Sequence, residues 1–591
     1  MDQLFSITPL KVNQLITKIE TGELGLPELQ RPFIWEDSKV RDLFDSMMKG
    51  YPIGYLMVWE CPKLDKKKTI GVGDHNYPEP KEVIIDGQQR LTSLFAVIKG
   101  KKVYDKKYNE REIIISFNPL TCTFEVRNQA TLKDKTWIYN ISDAYTTPQY
   151  TFISNYIKSL EEYRNSKKLE LSDEEKDLIA NNITNLYNLS SYDLPVFNIK
   201  EDADEESVSN IFVRVNSGGV KLKQNDFILT LLSLYWAEGR KQIEEFAIQS
   251  TKPSEKSTSY NLLTEVEPQD IIRVVMAYAF DRARLKYGYK LLRGADFEKK
   301  GAIDVELRNR RFDILKEKLF DVINVHSWHE FLKCVMNAGY LGKEQILAST
   351  NLFYVYSFYL IAKHRFGASD NENMIVTSKW VYYANLVSLY SNSFESTMEG
   401  HLNSLKDIKT FEEYKNFINM KISEVFTDDY FDVTLPGSTG LAVSGKGNNA
   451  WNAYCAALNI LDAHVLFSKG NLLASKLYEP GVDGNRKSLE KHHLFPKAFL
   501  KSKNYPDSQI NQMANYAYID WKDNMEILDE DPAIYYPIVC KGMTDDEIAK
   551  MEEENALPHG WEKMTYEDFL LNRRKLMAAK IKAGFIKLNK E

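Results

Sequence analysis

The chain has 591 residues, of which 43% are hydrophobic and 12% aromatic, and a formal net charge of −7. It is long enough for about two to four domains with substantial cores, and its balance does not advertise a nucleic-acid-binding surface, which favours a basic sum unless local clusters override it. Five scattered cysteines, Cys61, Cys122, Cys334, Cys455 and Cys540, exclude a Cys-x-x-Cys zinc ribbon and a disulfide framework. The N-terminus lacks a basic stretch leading into a long apolar run, and the longest apolar run, 352–362, is too short and too polar to span a bilayer. A folded cytoplasmic protein with no membrane association is expected.

In chain order, residues 9–16 read as a short helix, and 26–35 as an extended segment in which Pro27 and Pro32 present Gln30 and Arg31 between aromatic anchors. An arginine held in such a frame suits an anion. An amphipathic helix over 40–48 ends at Gly50, and Tyr51-Pro52-Ile53-Gly54 turns into a strand over 55–59. The β-branched run ending in Asp86-Gly87-Gln88-Gln89-Arg90 then leads into a helix with apolar Leu91, Leu94, Phe95 and Ile98. A glycine at a strand-to-helix turn lets backbone N–H groups face an anion where the helix dipole is positive. Arg90 can reach a phosphate from the first turn, and Asp86 can hold a ribose hydroxyl, a metal ion or a water. By itself the stretch is read more simply as a plain β-α turn. Paired strands are expected near 111–117 and 124–126, a polar helical stretch over 150–189, and a further helix over 204–210.

In the block 211–222, Arg214 and Asn216 alternate with Val213 and Val215, which puts both polar side chains on one side of an extended segment ahead of Ser217-Gly218-Gly219. A hairpin turn and an anion site fit it equally well. Residues 268–422 show helical periodicity without a motif, and their aromatic residues fit a core better than a base-stacking surface. The small-residue loop 435–449 contains Gly445-Lys446, but its spacing is not that of a phosphate loop, so a flexible connection is expected before a helix over 451–467.

The stretch Glu490-Lys491-His492-His493-Leu494-Phe495-Pro496-Lys497, with Asn515 and Asn524 behind it, has the residue types of a one-metal nuclease hairpin. Such a site needs an imidazole able to take a proton from water and N or O ligands that hold a divalent ion against the scissile phosphate. His493 fits the base, His492 and Asn524 the ligands, and Asn515 an amide that orients the base. Lys497, Lys501 and Lys503, and Arg573, Arg574, Lys575, Lys580 and Lys582 on the last helix, supply local positive charge. Such charge runs are usually solvated helix faces, so they point to DNA only weakly.

These motifs carry a resemblance. His492-His493-Leu494-Phe495-Pro496 with Asn515 and Asn524 resembles the HNH (His-Me finger) motif in the C-terminal domain of GmrSD-type, modification-dependent (type IV) restriction enzymes, with asparagine at the last position. Asp86-Gly87-Gln88-Gln89-Arg90-Leu91-Thr92 resembles the DGQQR signature of the N-terminal domain of that family, and 30–35, 51–54 and 211–222 are similar to its other elements. The resemblance implies an α+β multidomain protein with three parts. Residues 1–245 would form a ParB/sulfiredoxin-like mixed α/β domain that binds and hydrolyses nucleoside triphosphates, 246–430 a helical connector, and 431–591 a ββα-metal HNH domain with C-terminal helices. It also implies an anti-phage endonuclease that cleaves or nicks modified DNA, with one Mg²⁺ or other divalent ion per nuclease site and an NTP (ATP, GTP or CTP) as regulator. Nucleotide binding would fall to Asp86, Gly87, Gln88, Gln89, Arg90, Gln30, Arg31, Arg214 and Asn216. Homo-oligomers and partner defence proteins stay open, as do the DNA modification read and the choice between nicking and double-strand cleavage. The rival readings are a nucleotide-dependent sensor or DNA-binding protein with a vestigial nuclease, and a nicking enzyme that needs no nucleotide.

Overall fold

The β-branched run before Asp86 forms a strand that joins the only large sheet among the described residues. In the computed structural model the chain divides into two units, Met1–Ala237 and Glu238–Glu591. The structure describes residues 3–589 apart from 26–32, 34, 61–69, 73–74, 78–80, 105–109, 202, 294–295, 298–303, 392, 445–446, 469–471, 479–489, 520–529 and, within 204–235, all but 207, 208, 211, 215, 228 and 232. Among the described residues, no helix is long and apolar enough to cross a membrane.

The first unit carries β1 (Phe5–Lys11), α1 (Val12–Glu20), β2 (Leu24–Gly25), α2 (Asp37–Met48), β3 (Leu56–Glu60), β4 (Glu82–Asp86), α3 (Gln88–Lys99), the hairpin β5 (Ile115–Asn118) and β6 (Thr123–Val126), the helices α4 (Gln149–Ser166) and α5 (Asp173–Asn188), and β7 (Asp193–Ile199). Five of the strands form one mixed sheet in the order β1-β7-β3-β4-β2. Residues 9–11, expected to be helical, belong to β1, and α1 starts only at Val12. The reason is tertiary. β1 pairs antiparallel with β7 with Pro9 opposite Pro195, so neither missing N–H breaks a ladder on that side, and the parallel pairing of β7 with β3 begins one residue later at Val196.

The sheet is covered by helices whose apolar stripes recur at three- and four-residue spacing: Val12, Leu15, Ile16 and Ile19 on α1, and Val40, Leu43, Phe44 and Met47 on α2. Every residue from Leu91 to Ile98 of α3 is buried, so the helix that follows Asp86 runs through the core of the unit. The first residues of α3 are held in place by that burial. The unit is therefore mixed α/β, as expected.

The second unit is largely helical. Its main elements are α6 (Pro268–Phe280), α7 (Lys286–Arg293), α8 (Val305–Val322), α9 (Val325–Asn337), α10 (Ser349–His364), α11 (Asp370–Leu386), α12 (Phe394–Ser404), α13 (Asn449–Ile460), β8 (Glu490–His493), α14 (Lys497–Ser502), β9 (Tyr516–Ile519) and α15 (Tyr566–Lys587). The apolar run 352–362 lies inside α10 and is buried throughout, which accounts for its hydrophobicity without a membrane. α13 stops at Ile460 rather than continuing to 467, because Asp462, just past its C-cap Leu461, takes a left-handed backbone angle that ends a helix.

Residues 246–430 and 431–591 share one core. The Tyr382 hydroxyl donates to the carbonyls of Ala453 and Ile581, Asn459 Nδ2 donates to the Gly339 carbonyl at 2.8 Å, and Asn452 Nδ2 to the Gln345 carbonyl at 3.0 Å. Small residues on α13 make this possible. A Cβ on Gly339, whose φ is +83°, would lie 2.2 Å from the Ala456 carbonyl oxygen, and one on Gly584 would lie 2.8 Å from Ala457 Cβ. Gly339→Ala is accordingly expected to destabilise the second unit by about 3 kcal/mol, from the positive φ and the overlap together. Urea unfolding of the purified variant measures this, and a loss under 1 kcal/mol contradicts the packing.

Candidate functional site

The first candidate site is the β4–α3 turn. Gly87 opens α3 with φ +86° and ψ 11°, a left-handed conformation in which a Cβ would meet Leu56 Cδ2 at 2.5 Å and the Tyr55 carbonyl oxygen at 3.0 Å. The glycine is thus required by the close approach of β3 as well as by the turn. Asp86, Gly87, Gln88, Gln89 and Arg90 are all half-buried and lie on this one turn. Arg90 reaches back toward β3: its Nη1 donates to the Tyr55 carbonyl at 2.6 Å, and its guanidinium lies against Gly54, where a Cβ would come within 2.9 Å of Nη2. Burial pulls the Arg90 pKa below the usual guanidinium value, and the Asp86 carboxylate and Tyr55 work against that shift.

The two glutamines do different things. Gln88 Nε2 donates to the Ile84 carbonyl at 2.9 Å, folding back onto its own strand, while Gln89 Oε1 accepts from the Trp35 backbone N–H at 3.2 Å. That second bond ties the end of the proline-framed segment to the turn. Arg111 closes the same corner, with Nη2 on the Trp35 carbonyl, an ion pair to Asp37 and its guanidinium carbon 5.5 Å from the Phe33 ring centre. Gln30, Arg31, Arg214 and Asn216 lie outside the described residues.

The second candidate site is the antiparallel pair β8/β9, in which His492 faces Ala517 and His493 faces Tyr516. Both histidines are half-buried. The His493 ring packs on Tyr516 with centroids 4.5 Å apart, and the His492 ring stands edge-on to Tyr535 at 6.5 Å. His493 Nε2 lies 3.0 Å from Asn511 Oδ1, which also accepts from the Tyr516 hydroxyl at 3.1 Å. An amide oxygen only accepts, so Nε2 carries the proton and Nδ1 keeps the lone pair. Burial lowers the His493 pKa below 6.5, and nearby Lys497 adds to the lowering, while the Asn511 hydrogen bond opposes it.

The expected role of Asn515 as the amide that orients the base is not what the structure shows. Asn515 is fully buried; its Oδ1 accepts from Phe495 N at 2.8 Å, and its Nδ2 donates to the carbonyls of Phe495 and Ile510. With Leu494 N donating to the Asn515 carbonyl, this staples the chain leaving β8 to the chain entering β9. Asn511 orients the imidazole instead. Nothing in its sequence neighbourhood marks it, because its contact with His493 exists only once the hairpin has closed. Leu494 and Phe495 anchor the strand end, Phe495 among Trp561, Tyr566 and Phe569, and the Leu494 carbonyl under the Tyr535 hydroxyl at 2.6 Å.

Arg573, expected among the exposed basic residues of the last helix, is fully buried, and its Nη1 donates to the carbonyls of Ala514 at 2.7 Å and Tyr516 at 2.8 Å. The signal was available: Phe569, Arg573 and Met577 recur at four-residue spacing on the buried face of α15. Lys582 pairs with Asp428, and Lys580 with Glu553. Lys497 and Lys501 both approach Asp507, at 3.5 and 3.7 Å. Asn524 lies outside the described residues, as does any helix completing a ββα unit over 520–529. Among the described residues, no three His, Cys, Asp or Glu side chains come together as a metal site.

Residues 12–233, which contain the sheet and the Asp86–Arg90 turn, match the family model described as the GmrSD restriction endonuclease, N-terminal domain. That match supports a GmrSD-type restriction endonuclease family; the histidine hairpin lies beyond its range. The chain is also similar to an uncharacterized protein of Methanocaldococcus jannaschii, 22% identical over 585 residues, covering 91% of this chain and 89% of that protein.

Two substitutions test the geometry through stability. Asn515→Ala removes three buried hydrogen bonds and should cost about 2–4 kcal/mol, whereas Asn511→Ala, at the half-buried edge, should cost under about 1 kcal/mol. Denaturant midpoints of the two variants check this, and equal losses contradict the division of labour between the two asparagines.

Proposed function

Proceeding from an N-terminal unit similar to that of GmrSD restriction endonucleases, we propose that the protein is a DNA endonuclease of restriction type. In this reading the histidine hairpin hydrolyses phosphodiester bonds, and the Asp86–Arg90 turn binds a nucleoside triphosphate that regulates it. The observation that carries the nuclease reading is the state of His493: half-exposed, kept neutral by partial burial, with Nε2 occupied by Asn511 and Nδ1 left as the acceptor. A base in that state takes a proton from water at neutral pH.

His492 and Asn524 supply an imidazole nitrogen and an amide oxygen, donors that suit a divalent ion retaining part of its water shell. When bound, such an ion supplies charge stabilisation to the phosphate and the leaving oxygen. The protein's own residues do the rest. Tyr516 and Asn511 fix the plane and tautomer of the imidazole. Asn515 and Arg573 hold the two strand ends so that His493 keeps its place, and Lys497 and Lys501, sharing the single carboxylate of Asp507, leave positive charge beside the base for a phosphate backbone.

At the other site, the N-terminal amides of α3 and the Asp86–Arg90 pair supply an anion-binding helix start with a carboxylate beside it. Arg90 serves there through a guanidinium already fixed by the Tyr55 carbonyl, so it is preorganised. A nucleotide acts on the nuclease by binding two states of the protein unequally. Modified phage DNA is the substrate this reading assigns.

The test is cleavage of plain and modified DNA by the full chain with Mg²⁺ or Mn²⁺, with and without each NTP. His493→Ala should lose about 10² to 10⁴ in rate, and Asn511→Ala about tenfold to a hundredfold. Because the folded pKa of His493 is lowered, the base stays unprotonated through neutrality, and cleavage should fall on acidification only below pH 6.5. A His493→Ala variant that cuts normally, or an acid limb centred above 6.5, rules the base out. NTP hydrolysis unchanged in Asp86→Ala reduces the turn to a structural element, and a wild-type protein that binds nucleotide and DNA but cuts neither form points to a sensor.

A further inference from the structure

We propose that Arg574 of α15 binds the DNA phosphate beside the bond that is cut at the histidine hairpin. This rests on the endonuclease reading and adds to it a substrate contact from the last helix. α15 meets the hairpin and the chain that enters β9 through two adjoining stripes. On the first, Phe569, Arg573 and Met577, Arg573 clamps the carbonyls of Ala514 and Tyr516. The second aligns Tyr566, Leu570, Arg574 and Ala578 at four-residue spacing, and Arg574 is its half-exposed member among buried ones.

Side chains on a helix lean toward its N-terminus, which carries the Arg574 stem back over Leu570 toward Tyr566. The Tyr566 hydroxyl is near enough to act on the guanidinium charge, and it donates to the carbonyls of Gln509 at 2.8 Å and Ile510 at 3.2 Å. Asn511 comes next in the chain, with its Oδ1 on His493 Nε2. The second stripe therefore places a cationic head along the segment that orients the base.

Inside the protein this placement is unfavourable. The Arg574 Nε is buried without a hydrogen-bond partner, and among the described residues no carboxylate pairs with the guanidinium. Burial pulls its pKa below the usual guanidinium value, and Tyr566 rather than an acid opposes the shift. Glu567, on the same helix face two turns back, accepts from the Tyr505 hydroxyl at 2.6 Å instead. Further along the helix Lys580 and Lys582 have carboxylates of their own, Glu553 and Asp428. An arginine on a solvated face keeps its Nε in water, whereas a desolvated donor without an acceptor is stabilised by an anion from outside. The planar fork of N–H groups matches the two free oxygens of a phosphodiester, so a backbone phosphate fits it.

The test is fluorescence anisotropy of a labelled DNA duplex with the full-length His493→Ala protein, which keeps the DNA uncut, over about 50 to 200 mM salt. Arg574→Met in that background keeps an apolar stem and removes the charge. It should weaken binding about tenfold at low salt and flatten the slope of log affinity against log salt by about 1. It should also melt no lower than its parent, because the charge it removes has no partner within the protein. Arg574→Lys keeps the charge without the fork, so it should hold the salt slope and lose part of the affinity. Neutral methylphosphonates placed one at a time along the duplex locate the contact. Beside the bond that the wild-type protein cuts, the substitution should weaken the parent about tenfold and leave Arg574→Met unchanged. Parental binding by Arg574→Met, the same methylphosphonate profile in both proteins, or a lowered melting temperature each overturns the assignment while the endonuclease reading stands. If the parent binds no DNA even at the lowest salt, the assignment falls together with that reading.

Discussion

A single buried cation organises the C-terminal hairpin. The Arg573 guanidinium is removed from water, a transfer that costs on the order of several kcal/mol for an ion, and among the described residues it meets no carboxylate. What compensates is the pair of carbonyls of Ala514 and Tyr516, with the ring of Phe569 beside it. Those carbonyls flank Asn515, whose amide in turn fixes Phe495 and Ile510. The path from α15 to the imidazole of His493 is therefore short and rigid: Arg573 holds Tyr516, and Tyr516 holds both the His493 ring and the Asn511 oxygen beneath it.

The first unit solves a comparable problem with backbone rather than charge. Its turn needs a left-handed residue, and β3 passes so close that only a hydrogen fits at Gly87. The same narrowness leaves room for Arg90 to lie between Gly54 and Gly87 and bind the Tyr55 carbonyl. In both units a cationic side chain that sequence patterning would assign to a ligand spends at least one donor on the protein's own carbonyls. A guanidinium has five N–H groups in a fixed plane, so one or two structural bonds set the direction of the remainder.

Charge is distributed with the same economy. The total of −7 describes the chain poorly, because carboxylates such as Glu395 and Glu399 are turned inward onto backbone amides and inner arginines. Phosphate recognition depends on local field rather than on the sum. The lysines beside His493, two of which share the one carboxylate of Asp507, are a local excess of this kind.

What sequence alone determined here was short-range. The β4–α3 turn, the apolar stripes of α2 and α3, the hairpin β5/β6, the buried helix over 352–362 and the grouping of His492, His493 and Asn515 each follow from spacing of a few residues or from a recognisable motif. The tertiary structure decided what depends on partners distant in the chain. Pro9 lies in a strand because Pro195 sits across from it, and α13 joins residues 246–430 to the C-terminal region because Gly339 and Gly584 let backbones approach. Asn511 rather than Asn515 orients His493, and Arg573 is a clamp rather than a surface charge. A side chain's donors look the same in sequence whichever acceptor they meet, and only the closed fold, by deciding which carbonyls are desolvated beside it, selects one.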